Sequence, residues 1–222
     1  MQNLPFFSSP INITLSLAIL SLLPTLMIVS TSFLKIAIVL FITRNALGIQ
    51  QIPPNIVLYS ITLAATMFIM APTFNDVSDR LSLMPLDTHS LESTKSTASH
   101  AIEPVKKFMQ SHSDKEIVQQ FRRTAVMLWP VKMKTEINDE NILLITPAFV
   151  LSELQSAFKI GFLIYIPFFV IDLVISNVLL VMGMQMVSPM TLAIPIKILL
   201  FISVDGWGRL LNSLFSSYMQ RN

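Results

Sequence analysis

Residues 11–34 read INITLSLAILSLLPTLMIVSTSFL and contain no Asp, Glu, Lys, Arg or His. None occurs from Met1 to Leu34, and the run Asn45–Asn75, with IVLYSITLAATMFIMA at 56–71, is again free of them. A helix that crosses ~30 Å of hydrocarbon at about 1.5 Å per residue needs roughly 20 mostly apolar residues. Both runs meet that length, and a water-soluble core seldom holds two. Charge is concentrated elsewhere: of the 13 acidic residues, ten lie between Asp76 and Glu140, leaving Glu153, Asp172 and Asp205 outside. The chain therefore reads as oily arms flanking a polar middle.

That distribution excludes several classes of function. A formal charge of +2 without a basic stripe argues against nucleic-acid binding. With no cysteine there are no disulfides, thiolate metal sites or Cys nucleophiles. Met1 to Phe7 lacks the positive n-region of a secretory signal, so residues 11–34 are expected to be retained.

Proline, glycine and polarity divide the chain. A first apolar segment, Ile11 to Ile42, should be kinked by Pro24. Gly48, Pro53 and Pro54 mark a turn, and a second segment, Ile56 to Ala71, is expected to stop at Pro72. Within the insertion from Asn75 to Glu140, the Ser- and Thr-rich Leu83–Ser99 reads as loop. A short helix is expected over Ile102–Gln110, with Pro104 in its first turn, and another over Asp114–Trp129, opened by a Ser113/Glu116 capping box. The last third divides into a helix over Thr146–Lys159, its continuation to Met182, a turn near Gln185–Pro189 and a returning helix to Phe215. The expected fold is an all-α membrane protein of two long kinked helical hairpins, 1–74 and 141–222, with a polar, partly helical, extracytoplasmic insertion over 75–140. Lys35 and Arg44 near the first loop place that loop inside and both chain ends outside.

Charges inside the apolar arms are the informative residues, since each costs ~2.5 to 3.5 kcal/mol at bilayer depth and needs a partner. Counted from a turn near Met186, Asp172 lies fourteen residues back and Lys197 eleven forward, at comparable depth on facing helices, so an ion pair is expected. Glu153 finds its best partner in Lys35, within the subunit or in another copy. Asp205 and Arg209, four apart, read as a helix-surface pair. Such charges can relay protons or lock helices in register, and the few acids available favour locking. Met182, Met184 and Met186 alternate at the tip of the second hairpin. Methionines in membrane segments are mostly apolar filling, but at a turn their polarizable thioethers can conform to a changing surface and close a pore.

His89, His100 and His112 show no metal-ligand spacing and read as solvated surface residues. With no phosphate-binding loop and no hydrolase motif, neither catalysis nor a cofactor or metal is expected.

Several blocks carry a family resemblance: Arg44-Asn45-Ala46-Leu47-Gly48 with Gln50-Gln51 and Pro53-Pro54-Asn55; Phe68 to Pro72; Glu153-Leu154 with Ala157 to Phe162; Ile166-Pro167-Phe168 with Ile171 to Ile175; Met182 to Pro189; and Pro195-Ile196-Lys197 leading to Val204-Asp205-Gly206-Trp207. In these the chain resembles the FliP/SctR/SpaP family of type III secretion export-gate subunits, and without a signal peptide it is more similar to the injectisome, virulence branch. The insertion matches least. The resemblance implies a homo-oligomer, pentameric in the family, built with SctS-like and SctT-like subunits at the bacterial inner membrane and displaced towards the periplasm. Unfolded secretion substrates pass through its centre. It further implies that Met182, Met184 and Met186 form a pore gasket, and that Lys35, Glu153, Asp172 and Lys197 serve assembly. The rivals are an ion or small-molecule transporter subunit using Asp172 and Lys197, and a scaffold with no pore contact.

Overall fold

The computed structural model describes residues 10–49, 51–83, 91–134, 138, 141–184 and 186–219, and among these there is no strand. The helices are α1 (Pro10–Ser30), α2 (Phe33–Ala46), α3 (Asn55–Leu83), α4 (Leu91–His112), α5 (Lys115–Leu128), α6 (Val131–Lys134), α7 (Ile142–Val181), α8 (Pro189–Ser203) and α9 (Gly206–Met219). Two of them, over Asn55–Ser82 and Ile142–Val181, are long and apolar enough to cross a membrane, and the bent pairs α1–α2 and α8–α9 reach that length together.

The centre is α2, which packs along α7 and against α3. Ile36, Val39 and Leu40 of α2 meet Leu58 and Ala65 of α3, Ala157 of α7, and Leu210 and Leu214 of α9 in one apolar cluster. Gly161 allows the α2–α7 contact to be this close: a Cβ there would fall 2.5 Å from Ile42 Cδ1. The insertion is not a separate lobe. Met109 of α4 packs with Ile145 and Phe149 of α7 in a separate cluster, and α5 also lies on α7.

Several boundaries differ from expectation, each for a local physical reason. Pro24, expected to kink the first segment, lies inside α1; the sharp break falls at Thr31–Ser32, where Pro24–Ser30 and Phe33–Ala46 are inclined at 84°. There the Thr31 hydroxyl accepts the Phe33 N–H at 3.3 Å, giving the backbone an alternative to the helical bond. Pro72 does not end α3, which continues to Leu83 with α4 packed beside it. An interior proline costs ~3 kcal/mol, and tertiary packing of this kind can outweigh it.

Residues 91–99, expected as loop, form the start of α4, which passes through Pro104 as a single helix; residues 84–90 lie outside the described residues. The cap of α5 is Asp114, whose carboxylate accepts from Glu116 N–H at 2.8 Å. Ser113 turns back to Met109 O at 2.7 Å, so no Ser113/Glu116 box forms. The α7 helix begins at Ile142 with Asn141 as its cap, accepting from Leu143 N–H at 2.9 Å, and runs unbroken through Pro147 and Pro167. The returning arm is broken at Val204–Asp205 by 61°. Asp205 adopts φ 50°, outside any helix, with its carboxylate over Gly208, so it shares no helix face with Arg209.

Candidate functional site

Three features converge on the α2–α7–α8–α9 frame: a sealed ion pair, a half-open ion pair and a methionine turn.

Lys35 lies in the first turn of α2, and the α2–α7 packing directs it inward, 3.0 Å from Glu153 Oε1, with the two side chains 1% and 0% exposed. Tyr218 near the end of α9 completes the cage. Its phenol donates to the other oxygen of Glu153, and its ring centroid lies 3.7 Å from Lys35 Nζ. Lys35 also reaches Ser217 Oγ at 3.5 Å. Removing two charges from water costs several kcal/mol per ion, so such a pair persists only when its remaining valences are met. Here the ring quadrupole and the phenol meet them. Tyr218 was not singled out by sequence; the available signal was an aromatic continuing the i, i+4 apolar stripe of Leu210 and Leu214 on an otherwise polar final helix.

At the other end of α2, Lys197 reaches in from α8. It donates to Asp172 Oδ2 at 2.6 Å and to Ala46 O at 3.0 Å. The second bond places a cation on the last carbonyls of α2, where the helix dipole is negative. Lys197 is 6% exposed but Asp172 is 38% exposed, so this pair is open on one side. The adjoining α2–α3 turn is held by Arg44, which donates to Asn55 Oδ1 at 2.6 Å and Pro53 O at 3.2 Å. Lys35 and Arg44 are therefore held inside the fold, although the orientation expectation treated them as loop charges.

Ten residues beyond Asp172, α7 ends at Met182. Gly183 has φ 72°, a conformation glycine adopts without steric cost, and Met184 N–H donates back to Leu179 O at 3.0 Å. Pro189 then opens α8. Met182, Met184 and Met186 are 64%, 41% and 102% exposed, so their thioethers project from the turn and pack little within the chain. Gln185 lies outside the described residues.

The histidines are not all solvated. His112 is 2% exposed, with Nδ1 2.8 Å from Phe108 O and Nε2 3.3 Å from Tyr218 O, because α9 folds over the end of α4. His100 is exposed, and His89 lies outside the described residues.

A family model described as the FliP family matches residues 16–214, which include both ion pairs and the methionine turn. The chain belongs to the FliP family. Among its FliP-family relatives, "Harpin secretion protein HrcR" of Erwinia amylovora is 54% identical over 95% of this chain and 97% of its own. "Yop proteins translocation protein R" of Yersinia pestis is 42% identical over 94% and 96% of the two chains. "Flagellar biosynthetic protein FliP" of Bacillus subtilis is 40% identical over 95% and 93%. The higher identity to a harpin secretion protein than to a flagellar one supports the injectisome branch of the FliP family.

Proposed function

We propose that this chain is a subunit of a type III secretion export gate, assembling in the bacterial inner membrane around a pore that passes unfolded proteins. The family match over residues 16–214 carries this reading, and the relatives' printed roles in secretion and translocation agree with it. Surface chemistry supports it too. Of the most apolar window of α7, only 11% is buried within the chain, so lipid or other subunits must cover the rest.

In the proposed mechanism the two ion pairs hold α2, α7, α8 and α9 as one rigid unit. The Met182–Met186 turn hangs from its end. Copies of the chain, as a pentamer with SctS-like and SctT-like subunits, bring these turns together as a gasket. Unbranched thioethers can repack around changing polypeptide without a rigid seal. The chain performs no catalysis, and energy comes from other components. The insertion, residues 75–140, faces the periplasm, and the assembled gate is displaced to that side. A transporter working through Asp172 and Lys197 is disfavoured by the family match and by the second bond of Lys197, to Ala46 O, which gives that lysine a structural task.

The test uses a photoreactive residue at Met184 in cells exporting a stalled substrate. Crosslinks to the substrate are expected. Crosslinks only to lipid or to the outer faces of other subunits would remove the turn from the pore.

A further inference from the structure

The corner between α4 and α5 grips both residues that make the phenol–carboxylate bond of the sealed cage. On one side His112, the last residue of α4, has Nε2 3.3 Å from Tyr218 O. A carbonyl only accepts, so the hydrogen of this bond is on Nε2. Either ring form that keeps that hydrogen is also served within α4: Nδ1 accepts from Ser111 Oγ at 2.9 Å or, when protonated too, donates to Phe108 O at 2.8 Å. On the other side Asp114 N–H donates to Ser152 Oγ at 2.8 Å, and Ser152 precedes Glu153 on α7.

The place of the histidine bond on α9 gives it weight. Leu210 and Leu214 anchor α9 in the central apolar cluster, and Tyr218 lies one turn beyond them, next to the end of the helix. Carbonyls of a last turn have no partner inside their own helix. A donor supplied by another helix closes that turn and fixes where the Tyr218 side chain leaves it. The Phe108 ring stacks on that of Tyr218 with centroids 6.1 Å apart, and the His112 ring lies 5.1 Å from it. Tyr218 is 4% exposed and His112 2%, so water does not replace the bond when it is lost.

We infer that His112 is a positioning residue of the cage: through Tyr218 O it holds the last turn of α9 so that the phenol meets Glu153. The polar insertion thereby sets a charge pair made between the apolar arms. This effect lies within one subunit and stands whatever passes the gate; its consequence for assembly rests on the gate reading proposed above.

The test uses the full chain in mild detergent. Gln carries a side-chain N–H near the position of Nε2 and Asn one near that of Nδ1, so His112→Gln keeps the bond to Tyr218 O and His112→Asn loses it. Amide hydrogen exchange in the last turn of α9 should be about fivefold faster in His112→Asn and His112→Ala than in the wild type, the factor expected for one buried hydrogen bond, and unchanged in His112→Gln. Exchange across α8 should be the same in all. With tyrosine carrying 13C at Cζ, the signal that Tyr218→Phe removes should shift in the Asn and Ala variants and hold in the Gln variant. Equal exchange and equal tyrosine signals in the Gln and Asn variants overturn the inference. So does failure to recover the Gln variant, because the imidazole then acts by its shape and not as a donor. Recovery of the Gln variant alone supports the inference. Assembly is read separately on native gels, where His112→Asn should yield less complex than His112→Gln. Equal yields beside a shifted Tyr218 signal overturn only the consequence for assembly, and missing crosslinks from position 184 bear on the proposed function alone.

Discussion

The two buried lysines hold opposite ends of the same helix under different conditions. Lys35 is enclosed on every side, with Glu153 at 0% exposure and the Tyr218 ring against its ammonium. Lys197 is also buried, at 6% exposure, yet its partner Asp172 is 38% exposed. A charge without access to water depends wholly on its partner, whereas a carboxylate with one open side can be solvated or shared. The sealed pair therefore belongs to folding of the subunit, and the open pair lies where another copy or partner can reach it. The same contrast separates the sealed cage from the methionine turn, whose exposed side chains contribute little to the fold.

The largest effect should follow from breaking the sealed pair. Lys35→Met leaves Glu153 uncompensated and should destabilise the chain by about 3–5 kcal/mol. Thermal unfolding in detergent and the amount of chain recovered from membranes measure this, and recovery by the double variant Lys35→Met/Glu153→Met would show that the single loss arises from the stranded charge. Tyr218→Phe retains the ring over Lys35 but removes the phenol from Glu153, so a loss of about 1–3 kcal/mol is expected. A neutral outcome would show that the cage does not need its third member.

Asp172→Asn should cost about 1–2 kcal/mol, because the amide oxygen and Ala46 O can still accept from Lys197. If the open side faces another copy, its main effect should be a weaker assembled complex on native gels. A loss as large as that of Lys35→Met would erase the distinction between the pairs. The smallest effect on folding should come from Met182→Ala/Met184→Ala/Met186→Ala, within about 0.5 kcal/mol per site as for other exposed side chains. Membrane leak to small ions should nevertheless rise. Loss of folding without leak would assign the turn to the core.

Topology gives an independent check. The chain contains no cysteine, so single introduced cysteines report without background. Arg122→Cys, on the exposed side of α5, should react with an impermeant maleimide from the periplasmic side.

Much of this was legible from residue types and spacing. Uncharged runs at 1–34 and 45–75 announced the apolar arms, and Gly48 with Pro53 and Pro54 announced the first turn. Counting outward from Met186 placed Asp172 opposite Lys197. These are local or nearly local properties: hydropathy is summed along the chain, and depth in a hairpin follows from counting residues. Composition also dictated that charges within the arms must find partners, because hydrocarbon cannot solvate them.

Only the folded chain decided how those partners are enclosed. Tyr218 joins Glu153 across 65 residues, and His112 is buried because α9 covers it; no spacing rule reaches that far. The helix through Pro72, the break at Thr31–Ser32 and the bend at Asp205 are settled by packing between helices and by side-chain bonds to the backbone, each comparable to the local preference it overrides. Sequence therefore determined which segments are oily and which charges need company, while tertiary contact decided which of them lose water altogether, since burial is a property of neighbours distant in sequence.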